Sequence, residues 1–140
     1  MPNHIRPLAI CVFRHEGRIL LMEGFDPARQ EPFYRPLGGG IEFGETGAET
    51  VRRELMEEVQ AEVGEVWYLG TLEIIFTFNG KPGHEIVLVY DGRFVGERLY
   101  KREVILGRDG DLEFKAVWKR LDELGASPPV YPVGLLDLLK

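Results

Sequence analysis

Cysteine occurs only once in this 140-residue chain, as Cys11. One thiol forms no internal disulfide. This excludes the disulfide-stapled secreted class and makes a reducing, cytoplasmic setting the expectation. Lying inside the apolar run 8–13, Cys11 reads as a small buried hydrophobe rather than a nucleophile. No apolar stretch approaches the roughly 18 residues of a membrane-spanning helix. The first residues, Met1-Pro2-Asn3-His4-Ile5-Arg6, lack the apolar core of a signal peptide. No membrane partner is expected. Blocks of like charge are missing too. The net charge is −6, from 17 Lys and Arg against 23 Asp and Glu. That balance argues against a surface for long DNA or RNA. It leaves room for a small nucleotide, whose phosphates a metal ion can neutralise locally. Internal repeats and low-complexity segments are also absent.

The length fits one domain, expected over residues 1–140, and a 44% apolar composition is ordinary for a globular chain. The most informative stretch is 38–59, a glycine-rich loop leading into a helix. Thr46-Gly47-Ala48-Glu49 has the form of a capping box and predicts a helix start at Thr46. Beyond it, Ala48, Val51, Leu55 and Val59 fall on one helical arc, a core-facing stripe. Glu54, Glu57 and Glu58 fall on a neighbouring arc. Residues three and four apart are neighbours on a helix, and like charges there cost a few tenths of a kcal/mol per pair. A hard cation removes that repulsion, because Mg²⁺ and its relatives take carboxylate and phosphate oxygens. A solvated acidic face would look the same from the helix alone. The preceding Gly38-Gly39-Gly40 tips the balance, since such backbone approaches a ligand closely and can present carbonyls to it.

The full pattern is Gly39, five residues, Glu45, seven residues, Arg53-Glu54-Leu55, one residue, Glu57-Glu58, one residue, then Gln60-Ala61. It resembles the Nudix box at every fixed position except Gln60, where that family normally has the glycine that ends the helix. The resemblance implies an α+β fold: a Nudix-type α/β/α sandwich with a mixed, curved sheet and the box loop and helix at its edge. It implies a metal-dependent hydrolase that cleaves the diphosphate bond of a nucleoside diphosphate linked to another moiety, by water attack at phosphorus. Mg²⁺ or Mn²⁺ would be held by Glu54, Glu57, Glu58 and the Gly38 carbonyl. Arg53 would pair with Glu45 and fix the loop against the helix, with Gly39 structural. The general base would be Glu54 or Glu57, or a glutamate outside the box. For the last, Glu113 stands five residues before Trp118, and Asp111 is the second choice. Relatives are often dimers, so a homodimer is a possible state.

Two other functions share the box. A nucleotide-sensing module would bind without turnover, but the retained carboxylates favour an enzyme. Removal of diphosphate from RNA 5′ ends is disfavoured modestly by the acidic balance. A prenyl diphosphate isomerase is disfavoured by the lack of a suitably placed cysteine. No proline stands near Ile75, where relatives acting on ADP-ribose often carry one.

The rest of the chain reads mainly as strands. Residues 8–13 and 18–22 form a hairpin through His15-Glu16-Gly17, 24–32 is a loop, and 33–37 is extended. Strands follow at 66–69 and 72–78, separated by Gly70. Asn79-Gly80 then turns the chain into 84–90. Period two sets Glu85 with Val87 and Val89, opposite His84. Residues 91–111 read as a short strand and a mobile loop, and 133–139 as a short amphipathic helix. Candidate substrate contacts are Arg35, which could meet a phosphate, Glu85, and the aromatic Phe76 and Phe78.

Overall fold

The structure, a computed structural model, describes residues 3–125 and 127–140. The apolar run at 8–13 becomes the middle of strand β1 (Arg6–His15). It is buried on both faces, and its alternate side chains feed two separate cores. Ala9, Cys11 and Phe13 pack with Leu20, Leu37, Val51, Leu55 and Val59. Leu8, Ile10 and Val12 pack with Ile19, Leu21, Val87, Val89, Leu135 and Leu139. A strand covered on both faces carries a continuous apolar run instead of an alternation.

Around β1 the chain builds a mixed eight-stranded sheet. On one side β1 runs parallel to β6 (Lys81–Phe94), in register from Arg6↔Glu85 to Phe13↔Gly92. On the other it pairs antiparallel with β4 (Leu37–Gly40), the glycine segment. Its C-terminal end pairs with β2 (Arg18–Asp26) through Arg14↔Ile19. β2 also pairs with β3 (Glu31–Arg35) and β8 (Leu112–Arg120). β7 (Val104–Asp109) closes one end of the sheet and β5 (Val63–Phe78) the other. Helix α1 (Gly47–Val59) covers one face, and the one-turn α2 (Leu135–Leu138) with the tail covers the opposite face. This is the mixed α+β sandwich that the box implied.

Helix α1 starts as its sequence predicts. The Thr46 hydroxyl accepts the Glu49 amide at 3.1 Å, and the Glu49 carboxylate accepts the Thr46 amide at 2.9 Å. The helix ends at Gln60, which adopts the left-handed conformation at φ 52° and ψ 41°. Its amide donates to the carbonyls of Leu55 and Met56. Glycine normally takes this role because it lacks the Cβ that crowds a left-handed residue.

Three expectations about the chain's order are corrected. The loop expected at 24–32 shrinks to four residues, because β2 and β3 stay paired from Met22↔Arg35 out to Asp26↔Glu31. The buried Asp26 carboxylate closes this turn by accepting the amides of Ala28 and Arg29. Gly70 does not divide β5; it sits at a register shift inside one 16-residue strand. Residues 91–111, expected as a short strand and a mobile loop, hold the end of one strand and the whole of another. β6 continues to Phe94, where Gly92 leaves room for the Cys11 thiol, and β7 forms a hairpin with β8. The tail at 133–139 does form a short helix, and it buries Leu135 and Leu139.

Candidate metal and phosphate site

The box is held together by one guanidinium. Arg53 projects from α1 back to the loop, and its Nε and Nη2 donate to the two oxygens of Glu45 at 2.8 and 2.9 Å. Nη2 also donates to the Gly40 carbonyl at 3.0 Å. Nη1 donates to Glu54 at 3.0 Å and Glu57 at 3.4 Å. A planar fork of five donors can serve several acceptors in fixed directions, which an ammonium group cannot. The Thr50 hydroxyl adds a 2.6 Å bond to Glu45. Hydrogen bonds from Arg53 and Thr50 pull the Glu45 carboxyl down to about 2, so it stays ionised and keeps the loop latched.

The metal-ligating candidates differ sharply in environment. Glu57 is largely exposed, with its side chain 58% accessible. Glu54 lies under the glycine strand: a Cβ on Gly39 would stand 2.5 Å from its carboxyl carbon. Glycine at 39 therefore lets the loop lie directly on this carboxylate. Burial raises the Glu54 pKa, against the pull of Arg53. Glu58 is only 6% exposed, and its Oε1 is buried without a hydrogen-bond partner. Burial first, then the charges of Glu54 and Asp109, push its pKa up to about 8. Gly38 is fixed by its neighbour: with φ 151°, it packs so closely on the Ala9 carbonyl and the Ile10 Cα that a side chain could not fit.

The donor set suits a hard divalent cation. It offers carboxylate oxygens, repulsion among Glu54, Glu57 and Glu58, and an orphaned buried oxygen on Glu58 that such an ion would satisfy. Among the described residues, no three His, Cys, Asp or Glu side chains are drawn together tightly enough to enclose an ion. Arg53 instead holds Glu54 and Glu57 to itself.

Outside the box, strand parity decides which carboxylates face it. In β8 the residues Phe114 and Ala116 pack on the α1 side. Glu113 therefore takes the opposite face, where it bonds Arg108 at 3.1 Å. The structure does not bring Glu113 to the box. In β7, Ile105 packs on the α1 side and Asp109 shares its parity. The charge of Asp109 raises both Glu54 and Glu58. Sequence reasoning missed it, although Asp109-Gly110 is a strong hairpin signal. Reading that turn correctly would have fixed the parity. Asp111 lies in the same turn.

Arg35, Glu85, Phe76 and Phe78 all line one cavity of about 570 Å³, together with Arg29, Phe33, Ile74 and Tyr131. Phe33 packs edge-on to Phe78, with centroids 6.0 Å apart, and Tyr131 lies 5.4 Å from Phe33 on its other flank. Glu85 shares the face of Val87 and Val89, as period two requires. His84 is engaged by Glu73 at 2.9 Å.

The whole-chain comparisons agree with this geometry. The model of the NUDIX domain matches residues 2–134. The chain belongs to the Nudix family and takes its hydrolase class from that membership. Among solved structures, it is similar to a MutT NUDIX hydrolase from Burkholderia pseudomallei, with 23% identity and a TM-score of 0.71, over 99% of this chain and 100% of that one. A MutT protein from Methanosarcina mazei Go1 is 20% identical, with a TM-score of 0.64, over 99% and 92% of the two chains. An ADP compounds hydrolase is 18% identical with a TM-score of 0.69, over 99% of this chain and 73% of that one. At these identities the likeness is one of fold. No curated protein matches the chain.

Proposed function

We propose that this chain is a pyrophosphohydrolase that cleaves the diphosphate bond of a nucleoside diphosphate derivative with Mg²⁺ or Mn²⁺. The observation that carries this is the buried, unpartnered Oε1 of Glu58 beside Glu54 and the glycine strand. A group so placed is costly unless it meets a cation or a proton. Glu54, Glu57, Glu58 and the Gly38 carbonyl would hold the ion. When bound, the ion neutralises phosphate charge and lowers the pKa of attacking water.

The chain's own residues do the rest. Arg53 sets the angle between loop and helix and keeps Glu54 and Glu57 oriented. Glu57, which is exposed, or Glu54 would take the proton from water. Asp109 adds a negative charge beside Glu54 and Glu58 from outside the box. The aromatic cavity beside Arg35 receives the organic part of the substrate, with Phe76 and Phe78 in its wall. All three box glutamates are retained, which favours turnover over nucleotide sensing. The substrate is a small nucleotide derivative, and the protein acts as one domain in the cytoplasm.

The test is hydrolysis of a panel of nucleoside diphosphate derivatives with Mg²⁺ or Mn²⁺, comparing wild type with Glu57→Gln. The expectation is metal-dependent release of a phosphate product and a loss of at least about 100-fold in the variant. No turnover by wild type, or an unimpaired variant, would overturn it.

A further inference from the structure

Two hairpins frame the aromatic cavity, and both run past the rest of the sheet. β6 is paired with β1 only from Glu85 to Gly92, so the last four rungs of the β5–β6 arm, Ile75↔His84 to Phe78↔Lys81, have no third strand beside them. In the same way β2 leaves β8 at Met22, and beyond that point it is paired with β3 alone. Each overhang carries a phenylalanine laid across its own hairpin. The Phe33 ring fills the space that a side chain on Gly24 would need, and the Phe76 ring does the same at Gly83. The rings are thereby fixed to their hairpins, while the gap between the hairpins is set elsewhere.

Asp26 crosses that gap. It ends β2 in the cavity wall and is buried. Its Oδ1 accepts the amides of Ala28 at 3.0 Å and Arg29 at 3.4 Å in its own turn, and the amide of Asn79 at 3.3 Å from the tip of the arm. Among the described residues this last bond is the only hydrogen bond that joins the β2–β3 hairpin to the arm. Asn79 and Gly80 both hold positive φ, 50° and 76°, so the donor belongs to a tight turn and not to a loose loop. A two-stranded ribbon is marginal by itself. A tether at its end therefore carries much of its order.

We propose that Asp26 is a positioning residue that fastens the tip of the β5–β6 arm to the β2–β3 tip and so fixes the width of the cavity between them. With the bond made, Phe78 is held edge-on to Phe33 and the cavity keeps its volume of about 570 Å³. With the bond broken, the four unsupported rungs swing and the arm's wall draws away from Phe33. For its purpose the fastening rests on the hydrolase reading: the cavity receives the organic group of the substrate, and Asp26 selects that group by size through the wall it holds.

The test is amide hydrogen exchange followed by NMR on the full chain, without metal or substrate. In wild type the Asn79 amide exchanges at least about 10-fold more slowly than an unstructured amide, although it sits at an exposed hairpin tip. Asp26→Ala removes that protection, and Asp26→Asn, which keeps a neutral acceptor, retains part of it. The Val89 amide, in the middle of the sheet, is unchanged in both. Overhauser contacts between the Phe33 and Phe78 rings weaken in step with the loss at Asn79. With a nucleoside diphosphate derivative that wild type hydrolyses, Asp26→Ala raises KM at least about 10-fold and lowers kcat by less than about 3-fold, and Asp26→Asn recovers most of the loss. Where Asp26→Ala does not fold, Asp26→Asn carries the exchange comparison. Loss of protection at Ala28 and Arg29 with Asn79 untouched would reduce Asp26 to closing its own turn and overturn the proposal. Ring contacts that persist in Asp26→Ala, or a fall in kcat with KM unmoved, would overturn it as well. Asn79 protection that depends on Asp26 in a chain that hydrolyses nothing would leave the fastening standing and sink the hydrolase reading. Turnover with Asn79 indifferent to Asp26 would do the reverse.

Discussion

Replacing Gln60 by glycine restores the residue that the box normally has, and the structure sets the size of the effect. Gln60 holds a left-handed conformation, and for a residue with a Cβ that conformation costs about 1–2 kcal/mol. Glycine removes this strain but loses about 0.4–1 kcal/mol to the greater freedom of the unfolded chain. It also gives up the exposed 3.2 Å bond from the Gln60 amide to the Glu57 carbonyl, which contributes a few tenths of a kcal/mol. The bond from the Arg98 guanidinium to the Gln60 backbone carbonyl survives the change. The net gain is about 0.5 kcal/mol, or about 1–3 °C in Tm for a chain of this size. Gln60→Val goes the other way by about 1 kcal/mol, because a β-branched side chain tolerates positive φ poorly. The spread between the two variants, about 1.5 kcal/mol, is the sharper measure. Urea unfolding followed by circular dichroism reads it directly. A valine variant as stable as the glycine variant would refute the argument that strain at this cap governs the helix end.

Two further outcomes follow from the carboxylates. In EDTA, the raised Glu58 pKa makes the folded state hold a proton that the unfolded state releases, from the ordinary carboxylate range near 4.3 up to about 8. Stability therefore falls as pH rises through that window, by at most about 5 kcal/mol; Glu58→Gln flattens the slope, and equal slopes in the two proteins would contradict the assignment. Gly39→Ala forces the Glu54 carboxylate to move, since the new Cβ would stand 2.5 Å from it. The far end of a side chain yields at small cost, so Tm falls by no more than a few degrees, while metal-dependent turnover drops about 10- to 100-fold. Equal losses of stability and turnover would speak against a positioning role for this glycine.

The helix was legible in the sequence because its signals are local. Thr46 and Glu49 close the capping box, and one turn's spacing separates the apolar arc from the acidic one. The pairing of Arg53 with Glu45 came from the family's box, since nothing local fixes a contact between a helix and its loop. The sheet was less legible where strands are polar. Residues 24–26 and 31–32 carry no apolar alternation, yet they pair because the hairpin ladder simply continues beyond the core. The same holds for 91–94, where Asp91 and Gly92 interrupt the apolar pattern while pairing on both sides with β1 and β5. Glu113 was chosen by its distance from Trp118, but sequence distance does not set strand parity. The pairing of β7 with β8 sets Glu113 on the face away from α1. The cavity residues Arg29, Phe33 and Tyr131 come from three separate segments, and only the folded sheet gathers them.

The parallel pairing of β1 with β6 has a consequence for how the chain is made. β1 leaves the ribosome before the strands it pairs with, carrying the longest wholly buried run among the described residues. Its partner strand arrives only after the whole box and the β5 arm have been synthesised, and Leu135 and Leu139 cover its second face last of all. Until then one edge and one face of this β-prone segment stay open, the kind of surface that seeks pairing with other chains. A strand made before its partners is completed only after them, so the nascent protein is most exposed to misassembly at the element on which both of its cores depend.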